Sequence, residues 1–155
     1  MTTTTTTHLN FRGTARQALE FYRSVFGGTL HIATYGDFGM PKDVPGTDKV
    51  VFGQLENGQG LRLMAYDIPG TDTTEIAETA GTTRRVNGAT ITDRAFFQSL
   101  RGGSLGEVAK LWDGLAEGGE IIEPLAAAAW TPGFGMVTDR FGVTWVVDVQ
   151  NDYNG

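Results

Sequence analysis

The chain has no cysteine. That excludes a disulfide framework, a thiol nucleophile and a Cys-based zinc site. Basic residues are few: 12 Lys and Arg stand against 18 Asp and Glu, for a net charge of -6. A nucleic-acid binder normally presents a basic face. The one basic doublet, Arg84-Arg85, reads as solvated loop charge. No nucleic-acid partner is therefore expected. No apolar run reaches membrane-spanning length, so no membrane partner is expected either. The N-terminus lacks the apolar segment of a secretory signal. Together these absences point to a cytoplasmic protein. No glycine-rich loop follows a strand and opens a helix. Gly58-x-Gly60, Gly102-Gly103 and Gly133-x-Gly135 read as turns, and no nucleotide cofactor is expected. No serine stands in a nucleophile-elbow pattern.

What is present suits one domain with a core of its own: 155 residues, 40% of them apolar. The stretch Trp130 to Val149 reads as strand, tight turn, strand. Asp139 to Gly142 makes the corner, with Asp139 bonding its own backbone and Gly142 taking a positive φ. The last strand, Val143 to Val149, alternates weakly, so it is expected to be central and buried on both faces. Near the start, His8 to Phe11 reads as a strand, extended backward by β-branched Thr5 to Thr7. Thr14 with Gln17 forms a capping-box pattern. Ala15, Ala18, Leu19, Tyr22, Val25 and Phe26 follow at helical spacing, and Gly27-Gly28 stops the helix. A strand over Thr29 to Tyr35, a Gly- and Pro-rich loop over Gly36 to Asp48, and a hairpin around Asn57-Gly58 complete the first half.

The second half repeats this order. Ser104 with Glu107 is another capping box, and Leu105, Val108, Leu111, Trp112 and Leu115 form an apolar stripe. Gly118-Gly119 stops that helix and Glu120 to Leu125 resumes as strand. Phe21 to Gly28 lies over Trp112 to Gly119 at an offset of 91, which reads as a duplication. Residues 67–94 between the copies are polar and rich in Thr and Gly. They hold either a short extra element, placed at Glu75 to Thr79, or a flap.

Three pieces of this chain resemble the PhnB-like branch of the glyoxalase/bleomycin-resistance/dioxygenase superfamily, the vicinal-oxygen-chelate proteins. They are His8-Leu9-Asn10-Phe11-Arg12-Gly13 before Ala18-Leu19-Glu20-Phe21-Tyr22, then Leu115-Ala116-Glu117-Gly118-Gly119, and the closing Trp130 to Trp145 with its Asp-x-Phe-Gly-Val-x-Trp. The resemblance implies an α+β fold in which two βαβββ modules form one incomplete barrel with a concave pocket. The first module would span 5–66, the link 67–94 and the second module 95–150. It also implies a homodimer.

Metal-dependent members of that superfamily place one ligand on each of four strands. Carried over, the slots fall on Thr7 or His8, on Leu63 or Met64, on Ala95 and on Val146. Most of these offer no nitrogen or oxygen donor, and a divalent ion needs several. No metal and no other cofactor is expected. His8 is a hydrogen-bonded structural residue or a polar contact, and His31 reads as surface. Asp139 serves its turn, and Asp148 reads as a solvated carboxylate at a strand end. The expected partner is a small, partly apolar ligand, with His8, Asn10 and Gln54 as polar contacts and Phe97, Trp130 and Phe134 as walls. No catalytic residue stands out, and whether the chain is an enzyme stays open. The superfamily contains drug-sequestering proteins that use no metal, which suits binding. The alternative is a metal-dependent lyase, isomerase or dioxygenase. A methyltransferase label, common among relatives of this type, finds no cofactor loop here.

Overall fold

A computed structural model describes residues 2–70 and 82–151. The chain divides into two compact units, Met1–Glu75 and Ile76–Gly155. Among the described residues, no helix is long and apolar enough to cross a membrane. The short element expected at Glu75 to Thr79 lies outside the described residues.

In the first unit, β1 (Thr7–Phe11) leads to α1 (Ala15–Phe26), then β2 (Thr29–Thr34), β3 (Val50–Glu56) and β4 (Arg62–Asp67). The sheet order is β1-β4-β3-β2, with β1 parallel to β4 and the other pairs antiparallel. Helix α1 buries Ala15, Ala18, Leu19 and Tyr22, one stripe of a 3.6-residue period. It lies against the face that carries Leu9, Phe11, Leu55, Leu63 and Ala65, all buried. Gly53 lets the helix sit close there, because a Cβ at that position would run into the Leu19 side chain and lie 3.0 Å from the Ala65 carbonyl oxygen. The expected Thr14–Gln17 capping box does not form, and Thr14 makes no side-chain cap. The buried carboxylate of Asp67 caps α1 from the next strand instead. It accepts from Gly13 N (2.9 Å), Ala15 N (3.0 Å) and Val50 N (2.9 Å).

The second unit opens with a small hairpin, β5 (Arg84–Val86) and β6 (Ala89–Ile91). Its turn is Asn87-Gly88 with φ of 50° and 77°. Positive φ at both central residues gives the turn whose twist matches paired strands. Then come β7 (Gln98–Gly102), α2 (Leu105–Ala116), β8 (Glu120–Ala128), β9 (Thr131–Thr138) and β10 (Thr144–Val149), in sheet order β7-β10-β9-β8. The last strand is central and almost wholly buried, as its sequence implies. Here the capping box is real at its first half: Ser104 Oγ accepts from Glu107 N at 3.3 Å. Helix α2 buries Val108, Trp112 and Leu115. Gly133 and Gly135 are not turn residues. They sit inside β9, and a Cβ on Gly135 would lie 2.8 Å from the Trp112 ring. Bare backbone lets the indole approach the strand this closely.

Each unit is thus one βαβββ module, and the duplication is legible residue by residue. β1 and β7 begin at Thr7 and Gln98, a spacing of 91. β4 and β10 begin at Arg62 and Thr144, a spacing of 82. The connection after the second strand accounts for the difference: it is thirteen residues shorter in the second module, whose second and third strands are together four residues longer. It runs over 35–49 in the first module and over 129–130 in the second. The strand-to-strand turns also match. Asn57 Oδ1 accepts from the amides of Gln59 and Leu61, and Asp139 Oδ1 accepts from those of Phe141 and Val143. Asp139 Oδ2 adds the Trp145 indole N–H at 2.9 Å.

Candidate functional site

Side chains alternate across a strand, so the face of the first sheet away from α1 carries the other half of each strand. Register fixes its rows. His8 pairs with Met64, Met64 with Gln54, and Gln54 with His31. In the next row Asn10 pairs with Tyr66, and Phe52 with Ala33. Three expected contacts, His8, Asn10 and Gln54, therefore share one face. His8 Nδ1 lies 2.9 Å from Asn10 Oδ1, and its ring meets the Tyr66 ring edge-on at 5.2 Å. The Asn10 oxygen can only accept, so Nδ1 is the donor in this contact. An ion pair, Arg62–Glu56, closes the hairpin end of this face. The rest of these rows carries imidazoles, amides, a phenol, a thioether and a phenyl. His31, read from sequence as surface only, is exposed but stands at the far end of the His8 row.

The aromatic residues expected as walls lie in the second unit. Trp130 and Phe134 meet at 5.1 Å, nearly edge to face, with Trp130 exposed. Phe97 lies just before β7, half-buried, and β10 separates β7 from the strand carrying Phe134. The face of this sheet away from α2 also holds charge. Asp148 pairs with Arg101 across β10 and β7, and its carboxylate accepts two guanidinium bonds of 2.9 Å each. That hydrogen bonding raises the guanidinium pKa further. Asp148 is 5% exposed, so it is a buried paired carboxylate, not a solvated strand end. Alternation puts it on the half of β10 turned from the helix, where Arg101 of the neighbouring strand meets it. The reading of Arg85 as solvated loop charge also fails. Its guanidinium lies 5.1 Å from the Phe134 ring centroid and 3.9 Å from Glu123, because β5 folds onto this sheet.

The metal slots can be tested by donor chemistry. In the first sheet they are His8 and Met64, directly paired. In the second, Val146 pairs with Ser99; Ala95 lies outside β7, which begins only at Gln98. Ser99 is also the residue 91 after His8. The donors are then one imidazole, one thioether and one hydroxyl, which does not fit a divalent ion needing several strong nitrogen or oxygen ligands. Among the described residues, no three His, Asp or Glu side chains cluster as metal ligands.

Sequence reasoning missed Tyr66, Arg101 and Arg85 as members of these faces. Tyr66 was within reach, since Met64 and Tyr66 alternate with buried Leu63 and Ala65 in β4. A cavity of about 380 Å³ opens elsewhere in the first unit, and none of the six expected contact residues lines it.

Comparison with known proteins agrees with this architecture. A family model described as the glyoxalase/bleomycin resistance protein/dioxygenase superfamily matches residues 7–147. The chain is similar to the solved structure of protein PA1353 from Pseudomonas aeruginosa, at 30% identity and a TM-score of 0.71, over 97% of this chain and 100% of that one. It is also similar to a Bacillus cereus PhnB protein described as a putative 3-demethylubiquinone-9 3-methyltransferase. There the identity is 22% and the TM-score 0.67, over 96% of this chain and 100% of that one. A glyoxylase/bleomycin resistance protein/dioxygenase domain from Frankia shares the fold at 12% identity and a TM-score of 0.61, over 99% of this chain and 96% of that one. No curated protein matches the sequence. With two βαβββ modules and a family match across most of its length, this chain belongs to the glyoxalase/bleomycin resistance protein/dioxygenase superfamily.

Proposed function

We propose that the chain binds a small, partly apolar molecule without a metal ion, on sheet surfaces turned away from the helices. The observation that carries this reading is the row His8–Met64–Gln54–His31 with Asn10 and Tyr66 beside it. A face built only for packing would be aliphatic, and one built only for solvent would be charged. This one mixes imidazole, amide and phenol hydrogen-bonding groups with a thioether and aromatic rings, the composition of small-molecule sites. In the first unit the polar contacts are His8, Asn10 and Gln54. In the second, Trp130, Phe134 and Phe97 are the side chains assigned to apolar groups. A homodimer and a cytoplasmic location complete the proposal. Each four-stranded sheet has two edge strands, and pairing between copies is a common way to cover edges.

A metal-dependent lyase, isomerase or dioxygenase is not favoured, because the slot residues lack the donors. A thermal-shift screen of small polar aromatics and glycopeptides, run in EDTA, tests the proposal. Binders should raise the melting temperature in EDTA, and His8→Ala with Gln54→Ala should weaken them. Binders that require an added divalent ion, or that ignore both His8/Gln54 and Trp130/Phe134 substitutions, would refute it.

A further inference from the structure

The cavity of about 380 Å³ lies at the end of the first module where β1 leaves the sheet and β4 ends. Its walls include Met40, Pro45, Ile68 and Pro69, with Tyr35 and Lys49 supplying polar atoms. Half of the ten lining residues, Tyr35, Met40, Pro45, Gly46 and Lys49, come from the connection over 35–49, the stretch whose extra length sets this module apart from its sister. The second module completes the same β-sheet topology without it, so the fold does not require the added chain. Nor is that chain loosely attached. Tyr35 N donates to Lys49 O, Gly36 N to Thr47 O and Met40 N to Tyr35 O, at 3.0, 2.8 and 3.1 Å. The walls are therefore preformed.

The polar groups select the chemistry. Lys49 Nζ donates to the Gly13 carbonyl at 3.2 Å. An ammonium has three donors. Among the described residues Lys49 makes no ion pair, and that carbonyl is its one side-chain partner. Two N–H bonds thus remain for a guest. The Tyr35 hydroxyl gives its proton to the Asp67 carbonyl oxygen at 2.6 Å, so it offers a lone pair. The Asp67 carboxylate already faces three backbone amides. Within this apolar chamber the unmatched group is the cation.

We infer that this cavity is a second binding site, taking a small organic carboxylate whose anionic end meets Lys49 and whose apolar body lies against Met40, Pro45 and Ile68. The site does not depend on the His8 face, and the two fail separately. The test is amide chemical-shift mapping of the full chain with phenylacetate and with neutral phenylacetamide, at millimolar concentration. Phenylacetate should shift the amides of Gly13, Gly46 and Gly70, and phenylacetamide should bind about tenfold or more weakly. Lys49→Met should weaken phenylacetate by about tenfold or more, and Lys49→Arg should retain most of it. Met40→Trp, which fills the chamber without touching the charge, should block it too. His8→Ala with Asn10→Ala should leave it unchanged. No shift with phenylacetate, equal binding of the amide, undiminished binding in folded Lys49→Met or Met40→Trp, or shifts confined to the His8 face would each overturn the inference.

Discussion

Replacing Asp67 by alanine removes one carboxylate and strands three backbone donors. In the native chain Oδ1 holds Gly13 N and Ala15 N, and Oδ2 holds Val50 N, all within 3.0 Å. Asp67 is 2% exposed, so water replaces little of this. A hydrogen bond to a charged group contributes about 1.5–3 kcal/mol, and an unsatisfied buried donor costs about 1–3 kcal/mol. The three share one acceptor and do not add, so Asp67→Ala should cost about 3–5 kcal/mol, the range for breaking a buried charged network. Asparagine keeps one acceptor oxygen for Gly13 and Ala15 but turns an N–H toward Val50 N. Asp67→Asn should therefore cost about 2–3 kcal/mol. The sister helix supplies the control. Its cap is the local Ser104 hydroxyl, a single neutral bond, so Ser104→Ala should cost only about 1 kcal/mol. Urea unfolding of all three variants, compared by midpoint at unchanged m-value, reads the differences. If Asp67→Ala costs less than about 1 kcal/mol, or no more than Ser104→Ala, the capping role assigned to β4 is wrong.

Three further expectations follow from the same contacts. Trp112→Ala should cost about 3–5 kcal/mol, because the indole fills the space over Gly135, and a cost under about 1 kcal/mol would show that α2 packs another face. The Tyr35 phenol is raised above its ordinary 10.0, first by burial and then by the charges of Tyr66 and Asp67. Its stabilising share is therefore whole below pH 10.0 and lost as pH rises through the higher folded value. Tyr35→Phe should flatten the fall of melting temperature above that pH, and an unchanged slope would contradict it. Light scattering at micromolar concentration should give the mass of a dimer, and a monomer mass would defeat the proposed pairing.

Much of the fold is legible in the sequence because its signals are local. Gly-Gly stops, apolar stripes at helical spacing and the Asp139 corner each work through neighbouring residues. What escapes depends on partners far along the chain. Thr14 carries the local signature of a cap, yet Asp67, more than fifty residues later, takes the amide. Gly133 and Gly135 look like turn residues until the Trp112 ring is placed against β9. The Asn87-Gly88 hairpin was readable, since that dipeptide is a strong turn signal, but Val86 and Ile91 flank it with too few apolar residues to suggest strands. For the site, His8, Asn10 and Gln54 fall on one face because alternation and register are periodic. The pairing of Asp148 with Arg101 is not visible without the parallel register of β10 and β7.

The central claim is binding without a metal, and metal content tests it most directly. Elemental analysis of protein purified without chelator should find far less than one equivalent of zinc, nickel, manganese or iron per chain, since one imidazole, a thioether and a hydroxyl do not hold such an ion through purification. About one such ion per chain, with a melting temperature that EDTA lowers, would contradict the account and return the lyase or dioxygenase reading.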